Sequence, residues 1–259
     1  MVLDYLIYFF IFLLGVCIGS FLNCVIYRLE QKKSLSGRSF CPHCKHTLEW
    51  LDLLPIFSFI FLKGKCKYCH KKISWQYPLI EIMTGLVFLS VFMFQVPGFN
   101  LQRIINVFFL FYISGSLVII FIYDFKHYLI PDKILFPAIL IASAYRIIEN
   151  YVAIPNYLLA VLAASGFFLV IFLISAGRWM GFGDVKLAIL MGLLLGFPNV
   201  LTALFIAFFL GAIMGVIAMI FKKKTLKSEM PFGPFLIMGT FFALFWGQQL
   251  INWYFRLLF

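Results

Sequence analysis

The chain has 259 residues, 64% of them hydrophobic and only 12% charged, with a net charge of +11. A soluble domain is about half apolar and about a quarter charged, so an all-soluble fold is excluded and the surrounding solvent is lipid. The 21 lysines and arginines outnumber the 10 acids, but their positions matter more than their total, because they orient a membrane chain; no nucleic-acid partner is needed to explain them.

The first apolar run, Tyr5 to Tyr27, is longer than the roughly 7–15 residues of a signal-peptide core and follows Asp4, not a basic segment. It reads as a transmembrane helix, with Cys17 and Cys24 inside it as small packing residues. Residues 28–77 form the one sizeable polar segment. It holds Cys41-Pro-His-Cys44 and Cys66-Lys-Tyr-Cys69, two CxxC pairs with 21 residues between them. That is close to the about 15–20 of two-pair zinc sites. Four thiolates suit tetrahedral Zn²⁺, and so short a segment needs a staple to fold. His43, His46 and His70 are then surface residues, since four sulfurs complete the shell.

Further apolar spans lie near 79–96, 103–123, 134–149, 155–176, 185–197, 199–221 and 232–256. The expected fold is an all-α polytopic membrane protein of about eight transmembrane helices with a small cytoplasmic zinc-binding loop. Two spans depart from the norm: 134–149 contains Pro137, and 185–197 is 13 residues long where roughly 20 are needed. Charge parity keeps the short one as a crossing. With eight crossings, eighteen basic residues share one side: those from Arg28 to Lys72, then Lys126, Lys133, Arg178, Lys186 and the lysines at 222–227. Only Arg103, Arg146 and Arg256 face the other way. By the positive-inside rule the 28–77 loop is cytoplasmic and both chain ends are outside. The expected division is 1–27 as first helix, 28–77 as zinc-binding loop and 78–259 as membrane core. No internal repeat is evident; "GLLLG" (192–196) and "GAIMG" (211–215) are small-residue patterns for close helix packing.

On this topology Asp124 ends the third span and Asp184 begins the sixth, both at the cytoplasmic end of the membrane. Acids at such depth are costly and mark function. Two carboxylates held together share a proton, giving one base to activate water and one acid to protonate a leaving amine. Gly181 and Gly183, just before Asp184, leave the backbone bare for a tight turn or close approach. Taken alone, Asp184 reads equally well as an acid placed at a helix N-terminus. Asp132, after Pro131, rivals Asp124 but fits local helix capping. Lys186 either neutralises the site or snorkels to the surface. Pro231, Gly233 and Pro234 open the last span, either as an ordinary helix start or as a strand-like edge holding an extended substrate.

The "GFGD" at 181–184 resembles the GxGD motif of intramembrane aspartyl proteases. Together with "GSFLNCVIYR" (19–28), the paired-cysteine stretch to "YPLIE" (41–81), "DFKHYLIPD" (124–132) and "PFGPFL" (231–236), in that order, the chain resembles the type IV prepilin peptidases, or prepilin leader peptidase/N-methyltransferases. The resemblance implies catalytic roles for Asp124 and Asp184. It implies a bacterial inner-membrane enzyme that removes the leader of prepilins and pseudopilins ahead of their apolar helix. It also implies N-methylation of the new terminus with S-adenosylmethionine, an activity that accompanies the cysteine loop. Glu81 is assigned by resemblance to methylation or substrate-amine binding, beside the plainer reading of a buried ion pair. A proton-coupled transporter using Asp124 and Asp184 as a relay is the alternative from another class; a peptidase without methylation is a narrower one.

Overall fold

The computed structural model describes residues 2–95, 100–221 and 230–258. It contains helices α1 (Val2–Glu30), α2 (Phe57–Phe61), α3 (Gln76–Gln95), α4 (Leu101–His127), α5 (Asp132–Glu149), α6 (Ile154–Ser175), α7 (Phe182–Leu195), α8 (Asn199–Ile220) and α9 (Gly233–Leu258). Single 3₁₀ turns lie at Leu51–Leu53 and Tyr151–Ala153. Every expected apolar span is helical. The lysine run at 222–227, on which charge parity leans, lies outside the described residues.

Among the described residues, six helices (α1, α3, α4, α6, α8 and α9) are long and apolar enough to cross a membrane. The spans expected at 134–149 and 185–197 are the helices α5 and α7, which fall short of that measure. Their setting explains why. Nine residues of the 14-residue α7 are buried, so protein rather than lipid surrounds it and its length need not match the bilayer. α5 continues as a helix past Pro137.

The chain divides into two compact units, Met1–Ile119 and Ile120–Phe259. In the first, α1 and α3 pack antiparallel. Glycines make the approach possible: a Cβ on Gly15 would lie 2.8 Å from the Gly85 Cα, and one on Gly19 would lie 2.7 Å from the Glu81 Cα. Further along, the Asn23 amide donates to the Tyr77 carbonyl at 3.0 Å. Gly15, Gly19 and Asn23 thus form an i, i+4 stripe facing Tyr77, Glu81 and Gly85. This "GVCIG" pattern was as visible in the sequence as the two recognised there. Cys17, off the stripe, is exposed rather than packed inside the chain, and Cys24 is half-buried.

In the second unit α5 and α7 run parallel, with α6 antiparallel to both. Asp132 at the start of α5 pairs with Lys186 at the start of α7. At the far end, Arg146 of α5 donates to the Leu193 and Leu194 carbonyls at 3.0 and 2.9 Å, satisfying orphan groups at the C-terminus of α7. There too Asn156 at the start of α6 brackets the Phe197 backbone: its amide donates to the carbonyl at 2.8 Å and its oxygen accepts from the N–H at 2.9 Å. α7 therefore traverses the same layer as the membrane-length α6, in the opposite sense. Gly192 permits this: a Cβ there would lie 2.6 Å from the Val161 backbone of α6. Gly215, in the second pattern, has open space around it. α8 and α9 pair antiparallel, the Phe208 ring of α8 lying tilted on Phe232 just before α9, and Asn199 at the start of α8 meeting Gly247.

Candidate active site

Asp124 lies one turn before the end of α4, and Asp184 lies in the first turn of α7. Both belong to the second unit and both are buried, 4% and 8% exposed. They are close enough for Asp184 to feel the charge of Asp124. Neither carboxylate has an ion-pair partner among the described residues. Buried carboxylates without a cation are rare, because their desolvation is uncompensated.

The remaining partners are backbone. Gly233, first residue of α9, meets Asp124: its N–H interacts with the carboxylate, and a Cβ added there would sit 2.5 Å from Asp124 Oδ2. Only glycine leaves room for that oxygen. Asp184 reaches back to the backbone of Gly181, the N-cap of α7, as the third residue of a capping box does. The capping and functional readings of Asp184 therefore hold together. Neither Gly181 nor Gly183 adopts a left-handed conformation. Gly183 abuts Ile130, whose Cβ would be 3.2 Å from an added Cβ, while a Cβ on Gly181 would meet only the Gly183 backbone nitrogen, at 3.9 Å. Ile130 also reaches Gly233, 3.6 Å from its would-be Cβ. It thereby joins the starts of α7 and α9, a role that nothing in its sequence context announced.

The other expected site residues are placed as follows. Lys186 pairs with Asp132 and lies over the Phe136 and Phe182 rings, 5.4 and 5.7 Å from their centroids; its charge is spent there and not on the acid pair. Asp132 is the first residue of α5 and makes no side-chain cap. Pro231 precedes the last helix and Pro234 lies inside it, so this segment is a helix start against Asp124 rather than a strand-like edge.

In the first unit the four sulfurs of Cys41, Cys44, Cys66 and Cys69 lie within 4.8 Å of one another, with Cys41 and Cys69 at 3.9 Å. Metal–sulfur bonds of about 2.3 Å in a tetrahedron put sulfurs about 3.8 Å apart, so the tetrad fits a metal ion. Burial disfavours ionisation of the Cys41 thiol, yet the Cys44 and His43 backbone N–H groups bring it down to about 7. His43, His46 and His70 are exposed and outside the cluster. The two cysteine pairs are a structural repeat that the sequence reading did not find. Cys41 N–H donates to His46 O and Cys66 N–H to Lys71 O, each at 2.9 Å. Phe40 bridges Thr47, and Lys65 bridges Lys72. Lys45 and His70 take matching left-handed φ of 59° and 56°.

Glu81, 6% exposed, has no basic partner among the described residues. Its Oε2 accepts the Ile56 N–H at 2.8 Å and it contacts the Ser20 hydroxyl. The buried ion pair offered as its plainer reading is not formed among the described residues.

The "Bacterial Peptidase A24 N-terminal domain" family matches residues 13–95, and the "Type IV leader peptidase family" matches residues 110–216. A prepilin leader peptidase/N-methyltransferase of Legionella pneumophila is 32% identical, over 95% of this chain and 94% of that protein. One of Bacillus subtilis is also 32% identical, over 95% and 97%, and one of Aeromonas hydrophila is 28% identical, over 97% and 95%. No solved structure matches.

Proposed function

Because the chain belongs to the prepilin leader peptidase/N-methyltransferase family, we propose that Asp124 and Asp184 cut the leader from type IV prepilins and pseudopilins, and that residues 28–77 serve N-methylation of the new terminus. The observation that carries the peptidase half is the pair of buried carboxylates, brought together from α4 and α7 with no cation between them. One carboxylate takes a proton from water as its oxygen attacks the scissile carbonyl. The other, protonated, gives its proton to the departing amine nitrogen. Gly233 fixes the Asp124 carboxylate. The transporter alternative has no comparable support, since the family is one of peptidases.

Cys41, Cys44, Cys66 and Cys69 would hold a structural Zn²⁺, which staples the loop. S-adenosylmethionine supplies an electrophilic methyl group when bound. The division remains that of a first helix (1–27), a zinc-binding loop (28–77) and a membrane core (78–259). The protein is multi-pass. In our reading it lies in the bacterial inner membrane among lipid, with loop and acids cytoplasmic and both ends outside. This places the acids where a prepilin's basic leader meets its apolar helix. The test is the mass of a prepilin co-expressed with this chain: leader loss plus a further ~14 Da, one CH₂, is expected. An unprocessed substrate overturns the peptidase reading, and cleavage without the increment overturns the methylation half.

A further inference from the structure

The polar segment 28–77 carries an apolar surface of its own. Trp50, Leu51, Leu54, Phe57, Ile60 and Phe61, on or beside the 3₁₀ turn and α2, are exposed, Phe61 by 78%. Trp75, 76% exposed, joins them through the Phe59 ring, 4.9 Å away. A contiguous apolar patch marks a partner or a membrane, and the position of this one favours the membrane. The Ile56 N–H donates to Glu81 Oε2 at 2.8 Å. Glu81 belongs to α3, a helix of membrane length that starts at Gln76. It stands five residues into that helix, about 7 Å along the axis. Beside it α1 is at Gly19 and stays largely apolar to Ile26. The tie therefore holds Ile56 level with the second turn of a membrane helix, not beyond its end. Interfacial segments bury their apolar face to about 5–10 Å.

Backbone at such a depth must find its hydrogen bonds within the protein. The N–H groups of Leu53, Leu54, Ser58, Ile60 and Leu62 bond to carbonyls of the same stretch at 2.9–3.4 Å. Ile56 takes a left-handed φ of 63°, costly for a β-branched residue, and the Glu81 carboxylate accepts the N–H that this turn leaves over. Just past the apolar stretch, Lys63, Lys65, Lys71 and Lys72 are exposed. We propose that residues 50–61 and Trp75 are a re-entrant anchor inserted in the lipid leaflet beside α3, with the four lysines on anionic headgroups, so that the cysteine loop lies against the membrane surface. Trp50 and Trp75 suit the boundary between headgroups and acyl chains, and lysines beside it are drawn to anionic lipid. Glu81 thereby has a task that needs no ion pair: it fixes the turn of the anchor.

The experiment uses the full chain in nanodiscs of phosphatidylcholine and phosphatidylglycerol, with a trace of phosphatidylcholine carrying a diazirine on its acyl chain. Ultraviolet labelling, mapped by peptide mass, is expected to mark residues 50–61 as strongly as the exposed face of α1. Absence of lipid label there overturns the anchor. So does protection of the segment that appears only when prepilin is added, which would make it a substrate surface. In the double variant Phe57→Asp, Phe61→Asp, which alters exposed side chains, the label should fall roughly fivefold. Protease cleavage between residues 50 and 75 should rise about tenfold, while the buried Cys41 and Cys66 thiols stay unreactive. Unchanged label and cleavage overturn the proposal. Should the variant expose those thiols, labelling of the unaltered chain decides alone. In discs without phosphatidylglycerol the label on residues 50–61 should fall about twofold; equal label in the two overturns the role given to the lysines.

Discussion

Between residues 31 and 77 only Cys41 and Cys66 are buried, whereas in α7 nine residues are. The two regions solve the same problem, holding reactive or ligand-binding groups still, by different physics. The cysteine loop has almost no apolar core; under the proposed metal site its order would rest on an ion held by the four sulfurs, and its folding free energy would be largely that of binding the metal. The acid-bearing helices have no such ligand. Their order rests on close packing at Gly192 and on polar ties at both ends of α7, Asp132–Lys186 at one and Arg146 to two carbonyls at the other. One region should thus answer to chelation and thiol chemistry, the other to single atoms of packing.

The strongest way to sharpen this contrast acts on the acids. Asp124→Asn and Asp184→Asn keep the shape but remove base or acid, so each should lower leader cleavage by about 10³-fold or more while the protein still inserts. Methylation should vanish with it, since no new amine is made. Mass spectra of prepilin from each variant, with membrane fractionation, check this; full processing by either would break the acid-pair assignment. Asp132→Asn should process normally.

Next comes the metal. Changing Cys41 and Cys44 together to Ser, or stripping the ion with a chelator, should unfold residues 31–75 and abolish methylation, and should reduce cleavage by a much smaller factor. Limited proteolysis reports the first effect and substrate mass the others. Fully methylated product from this variant would show that the loop does not carry methylation. Metal analysis of the wild type should give about one zinc per chain.

A smaller effect is expected at Gly233. The added methyl of Gly233→Ala meets Asp124 Oδ2, displacing the carboxylate by a fraction of an ångström. Cleavage should fall about 10–100-fold with unchanged metal content. Wild-type turnover would mean that Asp124 adopts another rotamer in the working enzyme.

Stability rather than chemistry should answer at the far end of α7. Arg146→Met leaves the Leu193 and Leu194 carbonyls without their donors, a loss of about 1–3 kcal/mol, read as a lower unfolding midpoint of the helical unit. Least is expected of Lys186→Gln. Its partner Asp132 is 52% exposed, so the pair contributes no more than about 1 kcal/mol, and cleavage should change less than twofold. A large loss there would mean that Lys186 serves the acids after all.

The sequence by itself determined what depends on local pattern and composition. Apolar runs located eight helices within a few residues of their ends, because a lipid-facing or buried helix must be apolar along its length. The spacing of Cys41, Cys44, Cys66 and Cys69 marked a metal-binding set, because coordination restricts both residue type and interval. Asp124 and Asp184 stood out because acids are few in such a chain. What only the tertiary structure decided are contacts between segments far apart in the chain, which no local periodicity encodes. Lys186 chose Asp132 over the acid pair, and Gly233 came to lie on the Asp124 carboxylate. Ile130 bridged two helix starts, and Arg146 capped a helix 47 residues away. A side chain's partner is set by which surfaces packing brings together, and that is a property of the folded chain as a whole.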